Sequence, residues 1–157
     1  MKWKLFVSMF LLTFLMSACN EKENLEDSKT AMIKRTDPKP TLISNHSQKQ
    51  KDLIKSIKHD VASVEEVYDV AVVKGKKDTL VVYKVKHLRR FFMKKIEKNV
   101  LTKLEKKYPK EDFTVSSDYK IFLEAVKLKE KMEEGKISEK TAEKELKDII
   151  KLTEELT

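Results

Sequence analysis

Few residues in this chain could do covalent chemistry, and their spacing narrows the choice further. The single cysteine, Cys19, directly follows the small pair Ser17-Ala18. A thiolate can serve as nucleophile, metal ligand or redox partner, but a lone thiol can form no disulfide within its own chain. His46, His59 and His87 are far apart. No two of them have the helical i, i+4 or hairpin spacing that a zinc site draws on. With only Gly75 and Gly135 in the chain, there is no glycine-rich loop to cradle a phosphate. The paired carboxylates Glu65-Glu66 and Glu133-Glu134 read as solvated surface charge. The residues therefore predict no catalytic site, no metal, no cofactor and no small-molecule substrate.

Charge is the feature that stands above background. Residues 84–110 hold eleven Lys or Arg against Glu97 and Glu105, a local +9, whereas residues 111–157 hold nine Lys against thirteen acids. Arg89, Arg90, Lys94, Lys95 and Lys98 are the candidate binding residues for an anionic surface. Cations near an anionic leaflet contribute about 1 kcal/mol each, and an acidic protein or a nucleic-acid backbone attracts the same side chains. Three readings stay open at this point: a solubilising face on a core helix, attraction to anionic lipid head groups or an acidic partner, and nucleic acid.

The N-terminus bears on that choice. Lys2 and Lys4 precede a charge-free apolar run from Leu5 to Met16, closed by Ser17-Ala18-Cys19. This is the order of a secretory signal, with a positive start, an apolar middle and a small-residue cleavage site. The run is too short to cross about 30 Å of hydrocarbon comfortably as a helix. Met16-Ser17-Ala18-Cys19 resembles the lipobox of bacterial lipoproteins, although such a box usually begins with Leu. That resemblance implies cleavage after Ala18 and a lipid on the Cys19 sulfur; an ordinary secretory signal with an incidental cysteine is the alternative. The organisation expected is a lipoprotein signal over residues 1–18, a lipidated N-terminus and disordered tether over 19–46, and a folded domain over 47–157. The tether reading rests on balanced charge, on Pro38 and Pro40, and on the lack of any apolar period. An address outside the cytoplasm argues against nucleic acid.

The elements that would position the basic segment can be read from periodicity. Leu53, Ile54, Ile57, Val61 and Val64 recur at helical spacing after Ser47. Residues 67–74 (VYDVAVVK) and 79–86 (TLVVYKVK) read as β-branched strands, joined by a turn in which Gly75 can take positive φ. Leu88, Phe91, Phe92, Ile96, Val100, Leu101, Leu104 and Tyr108 continue at helical spacing until Pro109 stops them. Residues 113–116 read as a third strand. Asp118 is placed to cap the next helix, Gly135 to end it, and Ser138 to cap the last, with Ile137 stapling onto Ala142. The fold expected is α+β in the order α-β-β-α-β-α-α: a small, three-stranded, mainly antiparallel sheet covered on one face by two helices, with the C-terminal helix pair packed alongside it or projecting from it. The candidate core is Ile54, Ile57, Val61, Val70, Val72, Val81, Tyr83, Phe92, Ile96, Leu104, Val115, Phe122 and Val126.

This succession has a family likeness. The valine-rich strand, glycine turn and second valine-rich strand (VEEVYDVAVVKGKKDTLVVYKV), the Lys-rich helix, the segment YPKEDFTVSSDYKIFLEAVKLKEKMEEGKIS and the closing Gly135-Lys136-Ile137-Ser138 resemble the sporulation lipoproteins typified by YhcN and YlaJ of Bacillus. The likeness spans Ser47 to the C-terminus; Arg89-Arg90-Phe91-Phe92 is more basic and aromatic than that pattern. The helix–strand order is also similar to the BON domain, an extracytoplasmic fold associated with membranes. The resemblance implies a non-enzymatic lipoprotein of the forespore or spore inner membrane. It would be anchored through Cys19 and would act in spore formation or germination, on anionic lipid head groups or an acidic spore or envelope protein.

Overall fold

Two valine-rich strands form the centre of the domain, and both of their faces are buried. The computed structural model describes residues 35–44 and 47–156, all within one compact unit that starts at Arg35. The signal, Cys19, residues 20–34 and His46 lie outside the described residues. Strands β2 (Val67–Lys74) and β3 (Asp78–Val85) pair antiparallel. A short β1 (Thr41–Leu42) adds parallel to β2, and β4 (Asp112–Ser116) adds parallel to β3, so the sheet order is β1-β2-β3-β4. The α+β class holds, but the sheet is four-stranded and mixed rather than three-stranded and mainly antiparallel.

Both parallel pairings need a crossover, and a helix supplies each. Helix α1 (Gln48–Ala62) links β1 to β2, and α2 (Met93–Lys107) links β3 to β4. Their buried residues Ile54, Ile57, Val61, Ile96, Val100 and Leu104 pack with Val70, Val72, Val81 and Tyr83 in one core. Helices α3 (Tyr119–Glu133) and α4 (Glu139–Glu155) bury Ile121, Phe122, Ala125, Leu128, Ala142 and Leu146 against Ala71, Val73, Leu80 and Val82 in a second. Helices therefore cover both faces of the sheet, not one. Successive strand residues serve opposite cores, which is why these strands lack polar alternation. Among the expected core residues, Val126 is only partly buried and Phe92 is exposed.

Residues 35–44, expected to be tether, are part of this unit. Thr36 donates its backbone N–H and its hydroxyl to Asp69 Oδ2, both at 2.8 Å, and the Asp37 N–H donates to Oδ1 at 3.0 Å. Lys58 Nζ donates to the Pro38 carbonyl at 2.7 Å, and Ile43 is buried in the second core. These bonds lie beyond the range of local periodicity, so composition could not reveal them.

The helix ends follow the sequence closely. Asp118 accepts from the N–H groups of Lys120 and Ile121, and Ser138 from that of Thr141. Gly135 has φ 66°; its N–H reaches Met132 O and that of Lys136 reaches Lys131 O, a Schellman stop. Gly75 differs from expectation because its φ is not positive. A Cβ there would lie 2.8 Å from Leu146 Cδ2 and 3.0 Å from Glu143 Oε2. The turn needs glycine because the hairpin sits against α4, and Glu143 accepts from the Lys76 N–H at 2.8 Å.

Candidate functional site: a basic and apolar corner

The single helix expected over residues 87–108 is two elements. His87–Phe92 is a 3-10 helix without a side-chain cap, and α2 begins at Met93. Helical geometry explains the break. Residues four apart advance by about 40° around an α-helix, so Leu88 would stand about 160° from Leu104. A core-facing stripe is little more than about 100° wide. Ile96, Val100 and Leu104 fit such a stripe, and Leu88 does not.

The tighter segment turns its apolar side chains outward. Leu88 is 84% exposed, Phe91 93% and Phe92 53%. In a 3-10 helix residues three apart eclipse one another, so Leu88 and Phe91 share one ridge, Arg89 and Phe92 the next, and His87 and Arg90 the third. Arg89 and Arg90 thus stand between exposed apolar side chains. Lys94, Lys95 and Lys98 follow, all exposed, on the first turns of α2. Their opposition is slight: Arg89 Nη2 is 4.0 Å from Glu65 Oε1, and among the described residues no ion pair involves Arg90, Lys94, Lys95 or Lys98. Farther along α2, Lys103 bonds the Asp60 carbonyl and Lys107 the Asp60 carboxylate, so those cations tie α2 to α1. The five candidate residues are all exposed within one stretch, from Arg89 to Lys98. Sequence periodicity missed Leu88, Phe91 and Phe92, because spacings of four look helical until the angular drift is summed.

Aromatic residues extend this corner across the sheet end. Tyr119, 61% exposed, opens α3. Lys84 Nζ lies 4.3 Å from the Phe122 ring centroid and 5.6 Å from that of Tyr119, and 3.2 Å from Asp69 Oδ2. Burial, with the Asp69 carboxylate, raises the Tyr68 pKa; Arg90 lies close enough to oppose the rise and Tyr119 to add to it. Tyr68 is the extra residue where the β2–β3 register shifts, and the shift turns Val67 into the first core beside Val85.

Two other polar clusters lack access or shape. The Tyr83 hydroxyl is fully buried and has no hydrogen-bond partner of good geometry among the described residues. Burial and the nearby Glu97 carboxylate raise its pKa, which the adjacent Ser117 only partly offsets. Glu97 itself accepts from the Ser117 N–H and hydroxyl. A cleft of about 690 Å³ beside the hairpin turn and α4 is lined by four lysines and three acids that largely offset one another. Among the described residues no three His, Cys, Asp or Glu side chains are grouped to hold a metal ion, and no helix is long and apolar enough to cross a membrane. His59 and His87 are exposed on separate elements. Comparison of the chain with protein-family models, curated proteins and solved structures returns no match.

Proposed function

We propose that this chain is a membrane-anchored, non-enzymatic interaction module outside the cytoplasm, held by lipid on Cys19 and drawn to an anionic surface through Arg89, Arg90, Lys94, Lys95 and Lys98. The observation that carries this reading is the succession of those five exposed cations from Arg89 to Lys98, with Arg89–Glu65 the one ion pair they make among the described residues. The strand and helix order, with the lipobox-like Met16-Ser17-Ala18-Cys19, supports a sporulation lipoprotein of the YhcN and YlaJ type. On that reading it works at the forespore or spore inner membrane, in spore formation or germination. The exposed apolar ridge beside the cations favours a second reading, a BON-like module of general envelope function that binds anionic lipid.

The test uses residues 20–157, which retain the whole compact unit from Arg35 onward. The protein is mixed with neutral vesicles, anionic vesicles and duplex DNA across a salt series. Binding to anionic vesicles should weaken as the Debye length falls from about 10 Å at 0.1 M salt to about 3 Å at 1 M, and glutamate at all five positions should abolish it. Preference for DNA, or no effect of charge reversal, would overturn the assignment. In the full chain, Cys19→Ser should release the protein from the membrane fraction and remove lipid labelling.

A further inference from the structure

The exposed 3-10 segment suggests more than electrostatic attraction, and the path of the chain into the domain suggests where it acts. Side chains such as Leu88 and Phe91 cost free energy while they face water, and nothing among the described residues covers them. They are interleaved with Arg89 and Arg90, which suits an interface whose outer layer is anionic and whose inner layer is apolar. Arginine can keep its guanidinium in the outer layer while its stem and its neighbours enter the inner one.

The entry point of the chain lies at the same end of the sheet. Thr36 and Asp37 are bonded to Asp69, which pairs across the hairpin with Lys84. Two residues, Val85 and Lys86, lie between Lys84 and His87, and those three steps span on the order of 10 Å of extended chain. Fifteen residues lie between Cys19 and Arg35, and those sixteen steps reach at most about 55 Å. A lipid on Cys19 therefore keeps this end of the domain within that distance of the bilayer. Tyr119, with its polar tip and apolar ring, stands at the same end through its contact with Lys84, as interfacial aromatic residues do.

We infer that His87–Phe92 is a membrane-inserting wedge: Leu88 and Phe91, with Phe92 beside them, enter the boundary between head groups and acyl chains of an anionic bilayer. Arg89, Arg90, Lys94, Lys95 and Lys98 meanwhile hold the head groups. The occupant of this surface is a lipid bilayer rather than a protein, because the cations border the apolar ridge and the chain from the anchor enters the domain at the same end of the sheet. This inference rests on the anionic-surface reading and deepens it.

Trp3 is the only tryptophan and precedes Cys19, so Phe91→Trp in residues 20–157 places a single reporter on the ridge. The protein is mixed with phosphatidylcholine vesicles, with and without phosphatidylglycerol, whose acyl chains carry bromine. In the anionic vesicles the emission of the introduced indole should shift to the blue, be quenched by the acyl bromines and be shielded from aqueous iodide. Phe91→Ser, at a side chain that supports no core, should weaken vesicle binding by about tenfold to a hundredfold while the salt slope stays unchanged. Salt-sensitive binding with the indole still open to iodide and untouched by bromine would overturn insertion and leave the charge-based reading standing. Absence of binding at low salt would overturn both. Self-association in sedimentation that Phe91→Ser abolishes would instead make the ridge an interface between copies of this chain.

Discussion

Removing the Asp69 carboxylate should be among the most damaging single changes to this domain. The Asp69 side chain is fully buried and that of Lys84 is 8% exposed, with Nζ and Oδ2 3.2 Å apart. Asp69 also accepts three hydrogen bonds from Thr36 and Asp37. Asp69→Ala would withdraw the anion that faces a nearly buried ammonium, a change that typically costs about 3–5 kcal/mol. It would also release the segment that leads into β1. Part of the Lys84 charge would stay stabilised by the Phe122 ring at 4.3 Å, worth about 0.5–2 kcal/mol, so a loss near 3 kcal/mol is expected. Urea unfolding followed by far-UV circular dichroism measures it. With a slope of about 1–3 kcal/mol/M the midpoint should fall by about 1–3 M. Asp69→Ala combined with Lys84→Met should recover a large part of the loss, because the ammonium that faced the carboxylate at 3.2 Å is then removed with it. A loss under about 1 kcal/mol in the single variant, or a double variant no better than the single, would refute this account of the pair.

Two further outcomes follow from contacts elsewhere in the domain. Gly75→Ala places a methyl group against the fully buried Leu146, so it should cost about 1–3 kcal/mol by overpacking; an unchanged thermal midpoint would show that the hairpin and α4 are not in such close contact. At Asp60, burial raises the carboxyl pKa, but bonds from Lys107 and Tyr108 outweigh it and hold the pKa below the usual 3.8. A group depressed on folding contributes stability that is fully present above its unfolded value and lost as pH falls through the folded one. Asp60→Asn should therefore lower stability at pH 7 and flatten its decline below about pH 4, and an unaltered acid limb in pH-dependent unfolding would contradict this.

Much of the fold was legible in local pattern. The hairpin, the amphipathic faces of α1 and α2, the caps at Asp118 and Ser138 and the stop at Gly135 each depend on residues a few positions apart. The runs VYDVAVVK and TLVVYKV also carried a signal that a one-sided antiparallel sheet does not explain, since strands buried on both faces read as nearly continuous apolar stretches. The fifteen-residue helix between β3 and β4 is likewise the length a parallel crossover requires.

At the candidate site, sequence alone placed the charge, because Arg89, Arg90, Lys94, Lys95 and Lys98 are neighbours along the chain. It could not place the apolar residues among them. Whether Leu88 and Phe92 face the core or water depends on where the stripe of α2 has drifted by the time it meets the sheet. Tertiary structure likewise decided that Gly75 is needed for a close approach to Leu146, and that Thr36 and Asp37 are fastened to Asp69. Each of these facts joins residues separated by thirty or more positions in the chain. Local propensity acts over a few residues, whereas packing selects among the long-range pairings that propensity leaves equivalent.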